Sequence, residues 1–350
     1  MKILILKPSS LGDVIQALPV ARLLKLHLPQ AQIHWWLNRE LTPLLDGDRD
    51  LSRVVPFDRK HWGRLEGLPL ALSEIRALRR EHYDWIIDLQ SLARSAIVGW
   101  LARGGFTLGL EDRREGAPAF FDAAVPRPSE DTHAVDWYLE ALRHLKVPVH
   151  FQFDWLPERT EIAAQVRARC PAPGATWIAL QPGARWDNKR WPVESYAAVA
   201  QRLLQRHPDL HVAVLGGHAD QSMGAAIQSA GGPRCLDLTG RLSLPEMVEW
   251  IRLCRLMVTN DTGPMHVAAA LGVPVVGLFG PTAAARTGPY GSGHTILRTD
   301  LPCSPCMKST CHWSEPMACL RNISPAVVVE AVEGQLAQRG LVACSKPSAA

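Results

Sequence analysis

Apolar positions along this chain follow two alternating rhythms. Short apolar runs bounded by turn residues recur at 2–7, 32–37, 54–57, 85–89, 176–180, 211–215, 256–258 and 273–279, and runs of this length read as buried strands. Between them, apolar residues keep helical spacing, as at Val14, Leu18, Ala21, Leu24 and Leu28, or across 70–81. Pro19 interrupts the first of these patterns, so the spacing predicts either a short turn ending near Ala17 or a helix that begins at Pro19. Strand and helix alternating in this way predict an α/β protein with doubly wound parallel sheets. The richest Pro/Gly punctuation, Cys170-Pro171-Ala172-Pro173-Gly174, divides the pattern into two Rossmann-like domains, 1–170 and 171–340, followed by a loose tail over 341–350.

The most informative stretch is 258–282, VTNDTGPMHVAAALGVPVVGLFGPT, which reads as strand end, turn, helix, stop and second strand. Thr262 or Asp261 suits the helix cap, Pro264 the first helical position, and Gly272 the left-handed residue after the last turn. The backbone N–H groups of Thr262, Gly263 and Met265 then face outward at the positive end of the helix dipole, which makes an anion site. The plainer alternative is a well-capped helix start with no ligand.

Other strand ends carry polar residues too. Asp13 follows the first strand within Lys7-Pro8-Ser9-Ser10-Leu11-Gly12-Asp13, where it serves either as a helix cap or as a group facing a ligand. Gln181-Pro182-Gly183-Ala184 and the later Lys189 form a small-residue turn with a cation able to receive phosphate oxygens. Gly217 and the segment 238–244 fall where a doubly wound sheet holds the adenosine half of a nucleotide. The basic loop 58–64, with Arg59, Lys60 and Arg64, is either a solvated surface or a cradle for an acidic acceptor, and Arg94 and the pair Arg113-Arg114 are further candidates of that kind.

Composition narrows the classes. The 350 residues are 47% hydrophobic and 21% charged with a net charge of +4, a globular profile too mildly basic to argue for nucleic acid. The opening residues lack the pattern of a signal peptide and no run of 18 apolar residues occurs, so the expectation is a cytoplasmic protein with no transmembrane segment and mostly reduced cysteines. Cys303, Cys306, Cys311 and Cys319 could hold a structural Zn²⁺, but their later spacings are unlike familiar zinc modules, and free thiols are the expected state. Neither G-x-G-x-x-G nor a Walker-type loop is present, which weighs against hydride transfer and NTP hydrolysis.

The stretch 258–282, the opening K-P-S-S-L-G-D, the D-x-Q-x-L-x-R-S of 88–95 and the P-G-A-x-x-x-x-K-x-W-P of 182–192 together resemble the ADP-heptose:lipopolysaccharide heptosyltransferases (glycosyltransferase family 9), over nearly the whole chain to about Leu336. The resemblance implies the GT-B architecture, two Rossmann-like domains facing a cleft. It also implies inverting transfer of heptose from ADP-L-glycero-β-D-manno-heptose to Kdo or a first heptose of the lipopolysaccharide inner core, at the inner face of the inner membrane. Asp13 would be the general base. Lys189 would neutralise the pyrophosphate, with Gly183, Ala184, Gly217, Asp261, Thr262, Gly263 and His266 completing the donor site. Arg59, Lys60, Arg64, Arg94 and Arg113 would serve the acceptor. No metal or other cofactor is implied, since the helix dipole and Lys189 would offset the leaving charge. The Pro-Cys-x-Pro-Cys segment belongs to the resemblance without an assigned role. Two rival readings are a GT-B enzyme for another nucleotide sugar and a nucleotide-sugar-binding module without chemistry.

Overall fold

Strand β1 (Lys2–Leu6) is buried at every position after Lys2, because it lies in the middle of a parallel sheet covered on both faces. The computed structural model describes residues 1–62 and 65–340. These form two compact units, Met1–Trp155 and Leu156 onward.

In the first unit β1 is followed by α1 (Leu11–His27), β2 (Gln32–Asn38), α2 (Thr42–Leu45), β3 (Arg53–Phe57), α3 (Arg59–Trp62), α4 (Leu68–Arg80), β4 (Trp85–Asp88), α5 (Ala93–Ala102), β5 (Phe106–Leu110), β6 (Ala123–Val125) and α6 (Ala134–His144). The six strands pair in the order β3-β2-β1-β4-β5-β6, all parallel, with Leu4 opposite both His34 and Ile86. From β1 the chain winds one way to β2 and β3, then returns to β4 and winds the other way. The crevice between the carboxyl ends of β1 and β4 is therefore a topological switch point.

The second unit repeats the plan with α7 (Thr160–Arg169), β7 (Thr176–Gln181), α8 (Val193–Arg206), β8 (Leu210–Val214), α9 (Gln221–Gly231), β9 (Cys235–Asp237), α10 (Leu244–Leu253), β10 (Leu256–Asn260), α11 (Gly263–Ala270), β11 (Val275–Phe279), α12 (Ala284–Thr287), β12 (Thr295–Arg298), α13 (Ala318–Arg321) and α14 (Pro325–Ala337). Its strand order is β12-β11-β10-β7-β8-β9, which puts a second switch point between β7 and β10.

Two expectations change. Helix α1 runs unbroken through Pro19. A mid-helix proline costs roughly 3 kcal/mol, but twelve residues of α1, Gly12 and Val14–Leu24, are buried, and that burial outweighs the lost hydrogen bond. Secondly, the chain divides ahead of α7, not at the Cys170–Gly174 punctuation. Helix α7 packs on α10, the Arg159 N–H donates to Glu249 at 3.3 Å, Arg252 donates to the Leu156 carbonyl at 2.7 Å, and Arg169 pairs with Glu246. The Pro/Gly stretch is thus a connection inside the second unit. The tail expected over 341–350 lies outside the described residues.

Candidate active site

At the first switch point, the chain leaving β1 places Lys7 and Asp13 beside the end of β4. Ser10 is the N-cap of α1 and Asp13 is its N3 residue. The Asp13 carboxylate accepts from the Ser10 N–H at 2.8 Å and from its hydroxyl at 2.6 Å, so the cap is Ser10 and Asp13 closes a capping box. The second Asp13 oxygen lies 3.8 Å from Lys7 Nζ; the lysine side chain is 3% exposed and the aspartate 39%. Lys7 also donates to the Leu89 carbonyl at 2.9 Å and stands 4.7 Å from the centre of the Tyr138 ring. Burial opposes its charge, but Tyr138, Asp13 and Asp88 around it outweigh burial and raise its pKa.

Asp88 ends β4 with no exposure. One carboxylate oxygen accepts from the N–H groups of Gln90 (2.9 Å) and Ser91 (2.8 Å), while the other has no hydrogen-bond partner. The Ser95 hydroxyl nearby is committed to the Leu92 carbonyl at 3.0 Å. Burial pushes the Asp88 carboxyl up to about 6, against the opposing pull of these donors and Lys7.

At the second switch point the loop after β7 meets the turn after β10. Lys189 Nζ lies 2.6 Å from an Asp261 carboxylate oxygen, with the lysine side chain 17% exposed and the aspartate 7%. The same oxygen accepts from the Thr282 hydroxyl at 2.7 Å, and the ammonium sits 4.7 Å over the Trp186 ring. Thr262 is the N-cap of α11, Gly263 its first residue and Pro264 its second. The Met265 N–H donates to the Thr262 carbonyl at 3.1 Å, so it is spent inside the turn and does not face outward as the sequence suggested. Gly272, at φ 70°, closes the helix.

The Lys-x-Trp-Pro run owes its form to packing. Trp191 is 1% exposed in the second unit's core; its indole donates to the Ile323 carbonyl at 3.0 Å and its N–H to the Asn260 side chain at 3.1 Å. Asn260 in turn donates to the Pro182 carbonyl at 2.7 Å. These bonds pin the loop that carries Lys189 to the one that carries Asp261. Gly183 is required by close approach, since a Cβ there would come within 2.4 Å of the Asp220 carboxylate, which also accepts from the Gly217 N–H at 2.9 Å. Gly183, Ala184 and Gly217 therefore gather at the ends of β7 and β8. His266 is buried in α11.

The acceptor candidates leave the first sheet on the same edge as Asp13, Arg59 and Lys60 after β3, Arg94 after β4 and Arg113 after β5. Lys60 pairs with Glu40 at 2.9 Å, and Arg113 pairs with Glu111. Arg64 lies outside the described residues. The four cysteines line one cavity together with Asn188, Trp313 and Met317. Their segment is tied to the loops of Lys189 and Thr282 by the bonds Asn188 to the Lys308 carbonyl (2.8 Å), Met307 N–H to the Pro281 carbonyl (2.7 Å) and Ser304 to the Gly280 carbonyl (2.6 Å). Among the described residues no three His, Cys, Asp or Glu side chains are grouped to hold a metal. Sequence reasoning missed Lys7 and Thr282. A lysine closing the apolar run KILIL is the signal for the first, because lysine is rarely buried without a partner.

Two doubly wound α/β units, each with a lysine and a carboxylate at its switch point, have the plan of a GT-B glycosyltransferase, and the solved structures agree. Escherichia coli ADP-heptose lipopolysaccharide heptosyltransferase II is similar with a TM-score of 0.78 at 25% identity, over 97% of this chain and 100% of that one. The fold of E. coli heptosyltransferase WaaC with ADP matches with a TM-score of 0.77 at 23% identity, over 96% and 100%. The glycosyltransferase family 9 (heptosyltransferase) model matches residues 71–316. Lipopolysaccharide heptosyltransferase 1 of Pseudomonas aeruginosa is 30% identical over 362 residues, 96% of this chain and 98% of the relative. The chain belongs to glycosyltransferase family 9, the heptosyltransferases, and is a glycosyltransferase.

Proposed function

We propose that this enzyme transfers heptose from ADP-L-glycero-β-D-manno-heptose to the inner core of lipopolysaccharide, onto Kdo or a first heptose, with inversion at the anomeric carbon. The observation that carries the reading is the Asp13 carboxylate, held by Ser10 and backed by Lys7, yet open to solvent at a switch point. Asp13 takes the proton of the acceptor hydroxyl, whose oxygen attacks the anomeric carbon while ADP departs from the opposite face. Lys189 and the start of α11 at Thr262 and Gly263 receive the diphosphate, stabilising its charge as the bond breaks. Gly183, Ala184 and Gly217 admit the nucleotide closely, and Asp261 and His266 are assigned to the sugar hydroxyls. Arg59, Lys60, Arg64, Arg94 and Arg113 are assigned to the acidic acceptor. The enzyme works in the cytoplasm, peripheral on the inner membrane.

The test is incubation with ADP-heptose and two deacylated acceptors, one ending in Kdo and one in heptosyl-Kdo, with product mass and anomeric configuration read by mass spectrometry and NMR. Product from one acceptor tells which heptose is added. Preference for a UDP- or GDP-sugar overturns the donor, and a retained anomeric configuration overturns the mechanism.

A further inference from the structure

Helices α4 and α5 carry an outward surface that the transfer chemistry does not use. Both are crossovers running in the same direction along the first sheet, from β3 to β4 and from β4 to β5, so they lie on the same side of it, and they pack together. Helix α4 buries Ala71 and Leu78, and Leu78 joins the core with Ile75 packed beside it. Leu68 and Leu72, one turn apart, are exposed along one flank of α4, Leu70 is exposed on the other flank, and α5 leaves Ile97 and Trp100 exposed, Trp100 to 58%. Five of the eleven large hydrophobic side chains exposed among the described residues fall on this one helix pair, a concentration that scattered surface apolar residues do not explain.

The charges around them are mostly positive. Arg76, Arg79, Arg80 and Arg103 are exposed, and none of them makes an ion pair with a described residue. Of the nearby acids, Glu66 is exposed, Glu74 accepts from the Trp62 indole at 2.7 Å, and Glu81 is paired with Lys2 at 2.8 Å and Arg53 at 3.0 Å. Leucine and isoleucine for the acyl boundary, tryptophan for the headgroup level and unpaired arginines for phosphate are the chemistry of an anionic bilayer surface. A second copy of this chain suits the face poorly. A two-fold contact would set the same arginines against each other.

We propose that the α4–α5 face docks the enzyme on an anionic phospholipid surface. The docking itself is independent of the transfer reading. Its purpose rests on that reading, because α4 packs beside α3, which carries Arg59 and Lys60, and a docked face holds those cations near the headgroups where a lipid-borne acceptor is presented.

The test is co-sedimentation of the full chain with vesicles of phosphatidylcholine alone or mixed with phosphatidylglycerol. One variant combines Leu68→Ser, Leu72→Ser and Trp100→Ser; a second combines Arg76→Gln, Arg79→Gln and Arg80→Gln. Thermal melts check that both remain folded. Wild type should sediment with the anionic vesicles only, and each variant should bind them at least about tenfold more weakly. Turnover of a water-soluble acceptor should be unchanged. Failure of wild type to bind, variants that bind like wild type, or a lipid-free dimer that the same substitutions dissociate would each overturn the proposal. If lipid binding behaves as stated but no heptose is transferred, the docking face stands and the transfer reading falls.

Discussion

The two switch points use the same pair of residue types in opposite orientations. In the first unit the lysine is hidden and the carboxylate looks out, Lys7 at 3% and Asp13 at 39% exposure, with 3.8 Å between them. In the second unit the carboxylate is the more buried partner, Asp261 at 7% behind Lys189 at 17%, in contact at 2.6 Å. Which member is presented decides the chemistry. In the proposed reaction the exposed carboxylate is the proton acceptor, and the ammonium backed by a buried carboxylate is the anion-binding point charge. The proposed donor site also carries a condition, because a diphosphate bound there would share Lys189 with Asp261.

The most severe way to break the first half of this comparison is Asp13→Asn. The amide can still accept from Ser10 but cannot take a proton, so kcat should fall by about 10²–10⁴-fold while melting temperature and ADP affinity hold. Normal turnover would reduce Asp13 to its capping-box role. At the second switch point, Lys189→Ala removes the cation and also leaves the buried Asp261 carboxylate uncompensated. ADP affinity measured by calorimetry should drop by roughly 10–100-fold. Adding Asp261→Asn should restore part of it, and unchanged binding in the single variant would remove Lys189 from the anion site.

Lys7→Met sharpens the contrast by removing only the hidden cation. A positive neighbour favours an ionised carboxylate, so its loss should move the acid limb of the kcat/KM profile to higher pH and lower kcat by about tenfold near neutrality. A profile that keeps its position would make Lys7 a packing residue only. The smallest effect is expected at Asp88. Its carboxyl is raised by burial to about 6 in the folded chain, so the native state binds the extra proton between about pH 4 and 6, and stability contributed below that window is lost as pH rises through it. Asp88→Asn should lack this fall, measured as denaturant midpoints across the same range; parallel curves for the two proteins would refute it.

Much of the site was legible because its parts are local. The turn Asp261-Thr262-Gly263-Pro264 with its stop at Gly272, the Gly183 turn and the position of Asp13 after a strand are each written within a few residues, since caps, left-handed glycines and strand ends depend on neighbours in the chain. What was misread depended on distant packing. Pro19 breaks a helix by local rules and does not break this one, because the buried surroundings of α1 decide the matter.

The sequence by itself determined eight of the twelve strands among the described residues (all but β5, β6, β9 and β12), the two Rossmann-like halves and the residues that end those strands, for these follow from periodicity and turn chemistry over short spans. Only the tertiary structure decided that α7 belongs with the second unit, that the cysteine segment braces the loops of Lys189 and Thr282, and which partner of each lysine–carboxylate pair faces out. Those outcomes rest on contacts between residues tens of positions apart, Lys7 with Leu89 and Tyr138, Lys189 with Asp261, Asn188 with Lys308. Parallel pairing of β1 with β4 and of β7 with β10 creates those contacts, and no local pattern encodes them.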